Sequence, residues 1–126
     1  MAKGQKVHQE HLDAVSVFGK SIGKRAGFRC EWCAGSEGLR LWEHRPEQEP
    51  CPENLALLCE SCRALSSSKS SDPRELRPVR NALWSDIPAV AEGAAQVLAR
   101  CRESWAREAI EESFIDEDLK ARLLAG

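Results

Sequence analysis

Two short stretches of this sequence repeat one pattern, C-E-W-C at residues 30–33 and C-E-S-C at residues 59–62. Two residues separate the cysteines of each pair, which is close enough for both sulfurs to face one ion. Four thiolates around Zn²⁺ form a closed tetrahedral site that has no open position for a substrate. The repeated spacing therefore predicts one structural zinc ion. Its predicted ligands are Cys30, Cys33, Cys59 and Cys62.

Two other chemistries use paired cysteines. An iron–sulfur cluster is also held by four thiolates. A redox-active pair needs only two, but it usually lies in a βαβ context that this sequence lacks. A structural metal has the further merit that its binding supplies folding free energy, which the front of this chain needs because it contains few large apolar side chains.

The composition is that of a soluble globular protein, with 126 residues of which 42% are hydrophobic and 30% charged. This length suits one ordinary domain or a small module with a helical extension. No apolar run approaches the roughly 20 residues that a membrane-spanning helix needs, and the first residues lack the apolar stretch of a secretion signal. We therefore expect a cytoplasmic protein without a membrane partner, in a reducing compartment that keeps thiols free to bind metal.

Charge is spread unevenly along the chain. The local net charges are +3 over residues 1–45, −1 over residues 46–80 and −4 over residues 81–126, which gives −2 overall. A basic front favours contact with an anionic partner, whereas an isoelectric point near 5.9 argues against a protein that coats nucleic acid by charge alone. A solvated surface is the plainer explanation. The partner expected from the sequence is a protein or a nucleic acid.

The pattern of apolar residues divides the front of the chain. Residues 1–27 contain a predicted helix over residues 9–26, whose apolar stripe ends at Gly27. Residues 28–66 form the predicted zinc-binding domain. In it, alternation over residues 39–44 predicts a strand, and three prolines exclude regular structure from residues 46–53. The stripe of the N-terminal helix consists of Leu12, Val15, Phe18 and Ile22. The apolar run N-L-A-L-L that follows is expected to lead into a short helix carrying the second cysteine pair.

The second half of the chain is predicted to be helical after a linker. Residues 67–80 include most of the polar stretch S-S-S-K-S-S-D-P and are expected to be a mobile linker. Residues 81–126 contain apolar residues at helical spacing from Ile87 to Trp105. Asp86 and Asp116 are the predicted N-terminal caps of two helices, the first of which has Pro88 in its first turn.

Two cysteines lie outside the paired motifs. Cys51 is flanked by prolines and is predicted to be exposed and not to bind the metal. Cys101 falls on the apolar helical stripe and is predicted to be buried in the core.

The order of motifs between the cysteine pairs resembles the zinc-stapled HNH (ββα-metal) endonucleases, whose core is a treble clef. It runs from a cysteine pair through a hairpin, a Glu-His pair and E-N-L-A-L-L to the second cysteine pair. The resemblance implies that His44 is a general base, that Glu43 helps to hold a catalytic divalent ion and that Asn54 orients the base. The chain departs from the family at Arg63, where a second ligand of the catalytic ion is expected, and at P-E-Q-E-P-C-P, which replaces a glycine-rich stretch.

A second resemblance covers residues 24–122. The segments K-R-A-G-F-R-C-E-W-C, L-A-L-L-C-E-S-C and L-W-S-D-I-P-A-V resemble the PhnA-type proteins, a family named for a bacterial alkylphosphonate operon. So do the Trp105–Ala106 pair and the acidic segment from Asp116 to Leu119. The resemblance implies a zinc-ribbon-like front followed by helices, and no established biochemical role.

The expected fold is therefore a small α+β protein, in which a zinc-bound, treble-clef or HNH-like hairpin-plus-helix front packs with an all-helical C-terminal half. The sequence has no glycine-rich phosphate loop, no open metal site and no nucleophile beside a base. We expect a non-catalytic module that binds another macromolecule. The alternative is a divergent HNH endonuclease that cleaves nucleic acid with Glu43, His44 and Asn54.

Overall fold

The computed structural model describes residues 13–125, which form several helices and one two-stranded antiparallel sheet. This confirms the α+β class. The front comprises a helical turn at residues 13–16, α1 (Gly19–Ala26), β1 (Arg40–Glu43), a 3₁₀ turn (Pro52–Asn54) and β2 (Leu55–Leu58). The remaining elements are α2 (Glu60–Ser67), α3 (Pro73–Leu76), a 3₁₀ helix (Arg77–Trp84), α4 (Pro88–Leu98), α5 (Ser104–Glu112) and α6 (Glu117–Ala125).

The hairpin sheet is covered on both faces, which explains why all four residues of β2 are buried. Leu55 and Leu57 pack with Ile22 of α1 in a small apolar cluster. Ala56 and Leu58 point the other way and belong to the main core, which extends into the helical half. Because successive strand residues face opposite sides, a doubly covered strand is a continuous apolar run. Such a run does not alternate, and the sequence therefore identified only β1 as a strand.

Helix α4 joins the helical half to the hairpin through a very close contact at Gly93. The indole of Trp32, between the first two cysteines, meets the indole of Trp42 in β1 edge to face, with ring centroids 5.1 Å apart. A Cβ atom at Gly93 would lie 2.9 Å from the first ring and 3.0 Å from the second. Only glycine therefore allows the backbone of α4 to lie against both indoles.

The N-terminal helix predicted over residues 9–26 is interrupted. Within the described residues, a turn at 17–18 separates the helical residues 13–16 from α1; residues 9–12, including Leu12, lie outside them. The β-branched Val17, which is 73% exposed, and Gly19 are both weak helix formers. Gly27 ends α1 with φ at +65°, as predicted.

The linker predicted over residues 67–80 is wrong for its second part. The segment between α2 and α3 covers only residues 68–72, after which α3 and the 3₁₀ helix continue to Trp84. Asp72 caps α3 by accepting a hydrogen bond from the Arg74 N–H (2.9 Å). Leu76 and Val79, three residues apart, are both buried in the main core. This burial holds the segment in place although its composition is polar.

The long helix predicted between Ile87 and Trp105 is two helices, α4 and α5, separated by residues 99–103. The Asp86 cap is also wrong, because Ile87 is the capping residue of α4 and makes no side-chain cap hydrogen bond. Pro88 lies in the first turn as predicted. The Asp116 cap is confirmed, since its Oδ2 accepts a hydrogen bond from the Leu119 N–H (3.1 Å).

Two glycine-to-alanine substitutions test the close contact at Gly93. We expect Gly93→Ala to lower the free energy of unfolding by about 1–3 kcal/mol, because the new methyl group overpacks the two indoles. The gain of about 1 kcal/mol that alanine brings to a helix interior offsets part of the cost of overpacking. Gly19→Ala is the control, since its methyl group would meet nothing closer than 3.9 Å. Urea unfolding of both variants measures the difference, and a Gly93→Ala protein as stable as Gly19→Ala would contradict the packing described.

Candidate metal centre

The first cysteine pair lies in a tight backbone loop. The Ala34 N–H donates to the Cys30 carbonyl (2.8 Å), and the Cys30 N–H donates to the Gly35 carbonyl (2.7 Å). The Gly35 N–H points at the sulfur of Cys33 (3.4 Å). These bonds curl the chain around the two sulfurs, with Ala34 in the left-handed region at φ +68°.

The two residues inside this pair anchor the loop to its surroundings. The guanidinium of Arg25 in α1 grips the Glu31 carboxylate through two hydrogen bonds, of 3.1 and 2.7 Å. The same carboxylate accepts the Leu57 N–H from β2 (2.9 Å). Trp32 inserts into the core on the other side, against Gly93 of α4. The loop is therefore fixed to α1, to the sheet and to the helical half.

The second pair lies at the start of α2. Cys59 is the residue that precedes the helix, and its carbonyl accepts the Arg63 N–H (3.0 Å). Cys62 lies in the first turn, so both sulfurs are near the helix N-terminus. The partial positive charge of a helix N-terminus stabilises thiolates, the form that binds metal.

The fold brings the four predicted ligands together. The sulfurs of Cys30, Cys33, Cys59 and Cys62 all lie within 4.8 Å of one another. Four sulfurs at 2.3 Å from a central ion would lie about 3.8 Å apart, and the Cys33 and Cys59 sulfurs are 3.6 Å apart. All four cysteines are free of disulfides, and three of them are buried. The cluster is therefore suited to one metal ion.

The electrostatics of the cluster favour a cation. A hydrogen bond from Cys62 lowers the pKa of Cys30 from 9.0 to about 4. The same hydrogen bond, together with burial, raises the pKa of Cys62, and burial raises the pKa of Cys33. Without a metal, the buried cluster therefore favours one thiolate stabilised by neighbouring thiols. A divalent ion would supply the positive charge that further thiolates require.

The two surplus cysteines lie outside this cluster. Cys101 is 1% exposed, which confirms that it is a core residue, although it lies in the connection after α4 and not on a helical stripe. Cys51 is half-buried, so the prediction that it is exposed is wrong. It lines a small cavity with His44 and Glu92. The proline-rich sequence around Cys51 did not indicate that α4 lies beside it.

Asn54 fixes the backbone that follows β1. Its side-chain oxygen accepts the Arg45 N–H (3.0 Å), and its amide donates to the Arg45 carbonyl (2.9 Å). The Asn54 carbonyl in turn accepts the His44 N–H (3.0 Å). Asn54 is buried and therefore holds the position of His44 through the main chain, without a hydrogen bond to its imidazole.

The His44 imidazole is buried between the hairpin and α4. Its side chain is 3% exposed, its ring lies 5.8 Å from that of Trp42, and Glu92 Oε1 is 3.6 Å from its Nε2 atom. Burial lowers the pKa of His44, and the Glu92 carboxylate offsets part of this effect. Glu43 is the last residue of β1 and directly precedes His44. Successive side chains of a strand point to opposite faces of the sheet. No sequence pattern had linked His44 to Glu92, which is 48 residues away.

Comparisons with models of protein families, with curated proteins and with solved structures each found no match. Within residues 13–125, no helix has both the length and the apolar character required to cross a membrane.

A single substitution in the cluster has a matched control elsewhere in the chain. We expect the cysteine cluster of the wild-type protein to hold one metal ion and Cys59→Ser to lose this ion, together with much of the roughly 10–16 kcal/mol that a structural ion supplies. Cys51→Ser makes the same chemical change outside the cluster and should retain the ion. Elemental analysis for zinc and iron, with circular dichroism, measures both effects. Equal metal content in the two variants would contradict this assignment of the ligands.

Proposed function

We propose that this chain is a zinc-binding protein of the PhnA type whose metal is structural and whose role is to bind another macromolecule without catalysis. The observation that carries the proposal is the cluster of four sulfurs within 4.8 Å, because four thiolates complete the coordination of Zn²⁺ and leave no position for a substrate. The order of loop, hairpin and helix around the cluster supports a treble-clef arrangement of the front.

Zinc suits this cluster better than the alternatives. A tetrahedral set of four thiolates is the ligand set of structural zinc. An iron–sulfur cluster places several metal ions and sulfides between its cysteines, and so needs sulfurs farther apart than the 3.6 Å between Cys33 and Cys59. A redox-active pair would not require the second pair to converge on the first.

The segments that resemble the PhnA-type family occupy defined places in the fold, which supports this assignment. Trp84 ends the 3₁₀ helix and Pro88 begins α4. Trp105 lies in the first turn of α5, and Asp116 caps α6. These four shared residues therefore lie at the ends of helices.

A pair of arginines supports an anionic macromolecule as the partner. Arg77 lies over the ring of Trp105 (5.2 Å) and Arg80 over that of Trp84 (5.1 Å). Their spacing of three residues places them one turn apart on the 3₁₀ helix, with a rise of about 6 Å. Among the described residues, neither arginine forms an ion pair. Guanidinium groups held in this way suit the phosphates of nucleic acid.

One observation favours the alternative of a divergent HNH endonuclease. The hairpin places His44 directly after β1, and Asn54 holds the adjoining backbone, as the resemblance implies for a base and its positioning residue. The burial of the imidazole opposes this alternative, because a general base must reach a water molecule beside the scissile phosphate. Glu43, alone as a carboxylate of that motif, is a poor anchor for a hydrated Mg²⁺ ion.

Binding to labelled single-stranded oligonucleotides tests the proposal. We expect salt-dependent binding by fluorescence anisotropy, weakened on the order of 10-fold in the double variant Arg77→Gln/Arg80→Gln, with a salt slope reduced by about 2. The double variant Arg29→Gln/Arg40→Gln removes the same charge from two other exposed sites and should bind like the wild type. Absence of binding, or an equal loss of affinity in both double variants, would contradict a role of Arg77 and Arg80 in binding nucleic acid.

A separate plasmid assay decides between binding and cleavage. Supercoiled plasmid incubated with the protein and Mg²⁺, Mn²⁺ or Ni²⁺ should remain intact. Nicking by the wild type that His44→Ala abolishes would establish the nuclease in place of the binding module.

A further inference from the structure

His44 and Glu92, two potential metal ligands, lie close together outside the cysteine cluster. A cavity of about 200 Å³ opens between the loop after β1 and the start of α4, and its lining includes His44, Cys51, Glu53 and Glu92. Of these residues, His44 and Glu92 have side-chain donor atoms close together, with His44 Nε2 3.6 Å from Glu92 Oε1. None of the four clustered cysteines lines the cavity.

The His44 imidazole has no hydrogen-bond partner in the described part of the chain. Both ring nitrogens are buried and neither is paired, although the side chain is only 3% exposed. A buried polar group left unpaired destabilises the folded state, because it loses its hydrogen bonds to water. Glu92 Oε1, at 3.6 Å from Nε2, is too far for a hydrogen bond. A ligand that binds a free ring nitrogen would offset this cost.

The distance between these two atoms fits one bridging ion. Transition-metal ions bind an imidazole nitrogen and a carboxylate oxygen at about 2.0–2.2 Å each. An ion at about 2.1 Å from both atoms, when they are 3.6 Å apart, would see them at an angle of about 120°. This angle is close to that of tetrahedral coordination. A hard ion such as Mg²⁺ is excluded as the preferred occupant, because it prefers oxygen ligands.

We propose that His44 and Glu92 together bind a second divalent transition-metal ion, with water completing its coordination. Imidazole and carboxylate are ligands of Zn²⁺. Because two protein donors are in place and the cavity is open to solvent, this ion should exchange more readily than the ion of the four cysteines. It would also connect the end of β1 to α4, across the joint between the hairpin and the helical half.

Two features of this site affect metal binding in opposite directions. Burial lowers the pKa of His44, which leaves a ring nitrogen free to bind metal near neutral pH. Arg45 competes for the carboxylate, because its Nη2 lies 3.3 Å from Glu92 Oε1. The Arg45 side chain is 45% exposed and can turn into solvent, whereas Asn54 holds its backbone. Removal of the guanidinium should therefore strengthen metal binding without moving the loop.

Calorimetric titration of Zn²⁺ into the full chain that already holds its first ion tests the proposal. His8 and His11 are the other histidines of the sequence, so all proteins carry His8→Gln/His11→Gln to exclude them as ligands. We expect one additional equivalent of Zn²⁺ to bind. Affinity should fall at least about 10-fold in Glu92→Gln and rise in Arg45→Met. Glu49→Gln, at an exposed position of the same loop outside the cavity, should change nothing.

The outcomes separate this site from the first one. Circular dichroism and retention of the first zinc ion verify that each variant is folded before titration. A second equivalent that is weakened by Glu92→Gln but not by Glu49→Gln supports the site. Absence of a second equivalent, or an affinity that Glu92→Gln leaves unchanged, would overturn it.

Discussion

The convergence of four cysteine sulfurs is the constraint on which the other features of the front depend. Twenty-five residues separate the two pairs, and in the fold this segment supplies the whole hairpin. Once the pairs meet, β1 and β2 are held together at the same end as the start of α2. A metal ion bound there would replace the large apolar core that so short a segment cannot build, because its binding free energy would become folding free energy.

The residues within the first pair transmit this constraint to the remainder of the molecule. Glu31 ties the loop to α1 and β2 through its carboxylate, and Trp32 carries it into the main core. Gly93 lets α4 lie directly on Trp32 and Trp42. The front and the helical half thus share one core, and α4 brings Glu92 to the buried His44.

The sequence predicted features that depend on the spacing of neighbouring residues. It missed features that depend on packing between segments far apart in the chain. The cysteine cluster followed from two short motifs. The burial of Cys101 was predicted correctly, although the residue lies after α4 and not on the helical stripe that suggested it. The strand β2 was missed because burial on both faces removes the alternation that identifies a strand. The segment from residue 73 was expected to be a mobile linker, since nothing local indicates that Leu76 and Val79 enter the core. The approach of Glu92 to His44 has no local signal, because it arises only when α4 packs on the hairpin.

Hydrogen–deuterium exchange before and after removal of the metal by a chelator tests most directly whether the metal ion holds this fold together. At neutral pH, we expect amides of the first cysteine loop, of β2 and of the start of α2 to lose their protection together. We also expect α4 to become less protected, since it packs on Trp32. A metal-free protein that keeps native protection in β2 and α4 would contradict the account, because the fold would then stand without its metal.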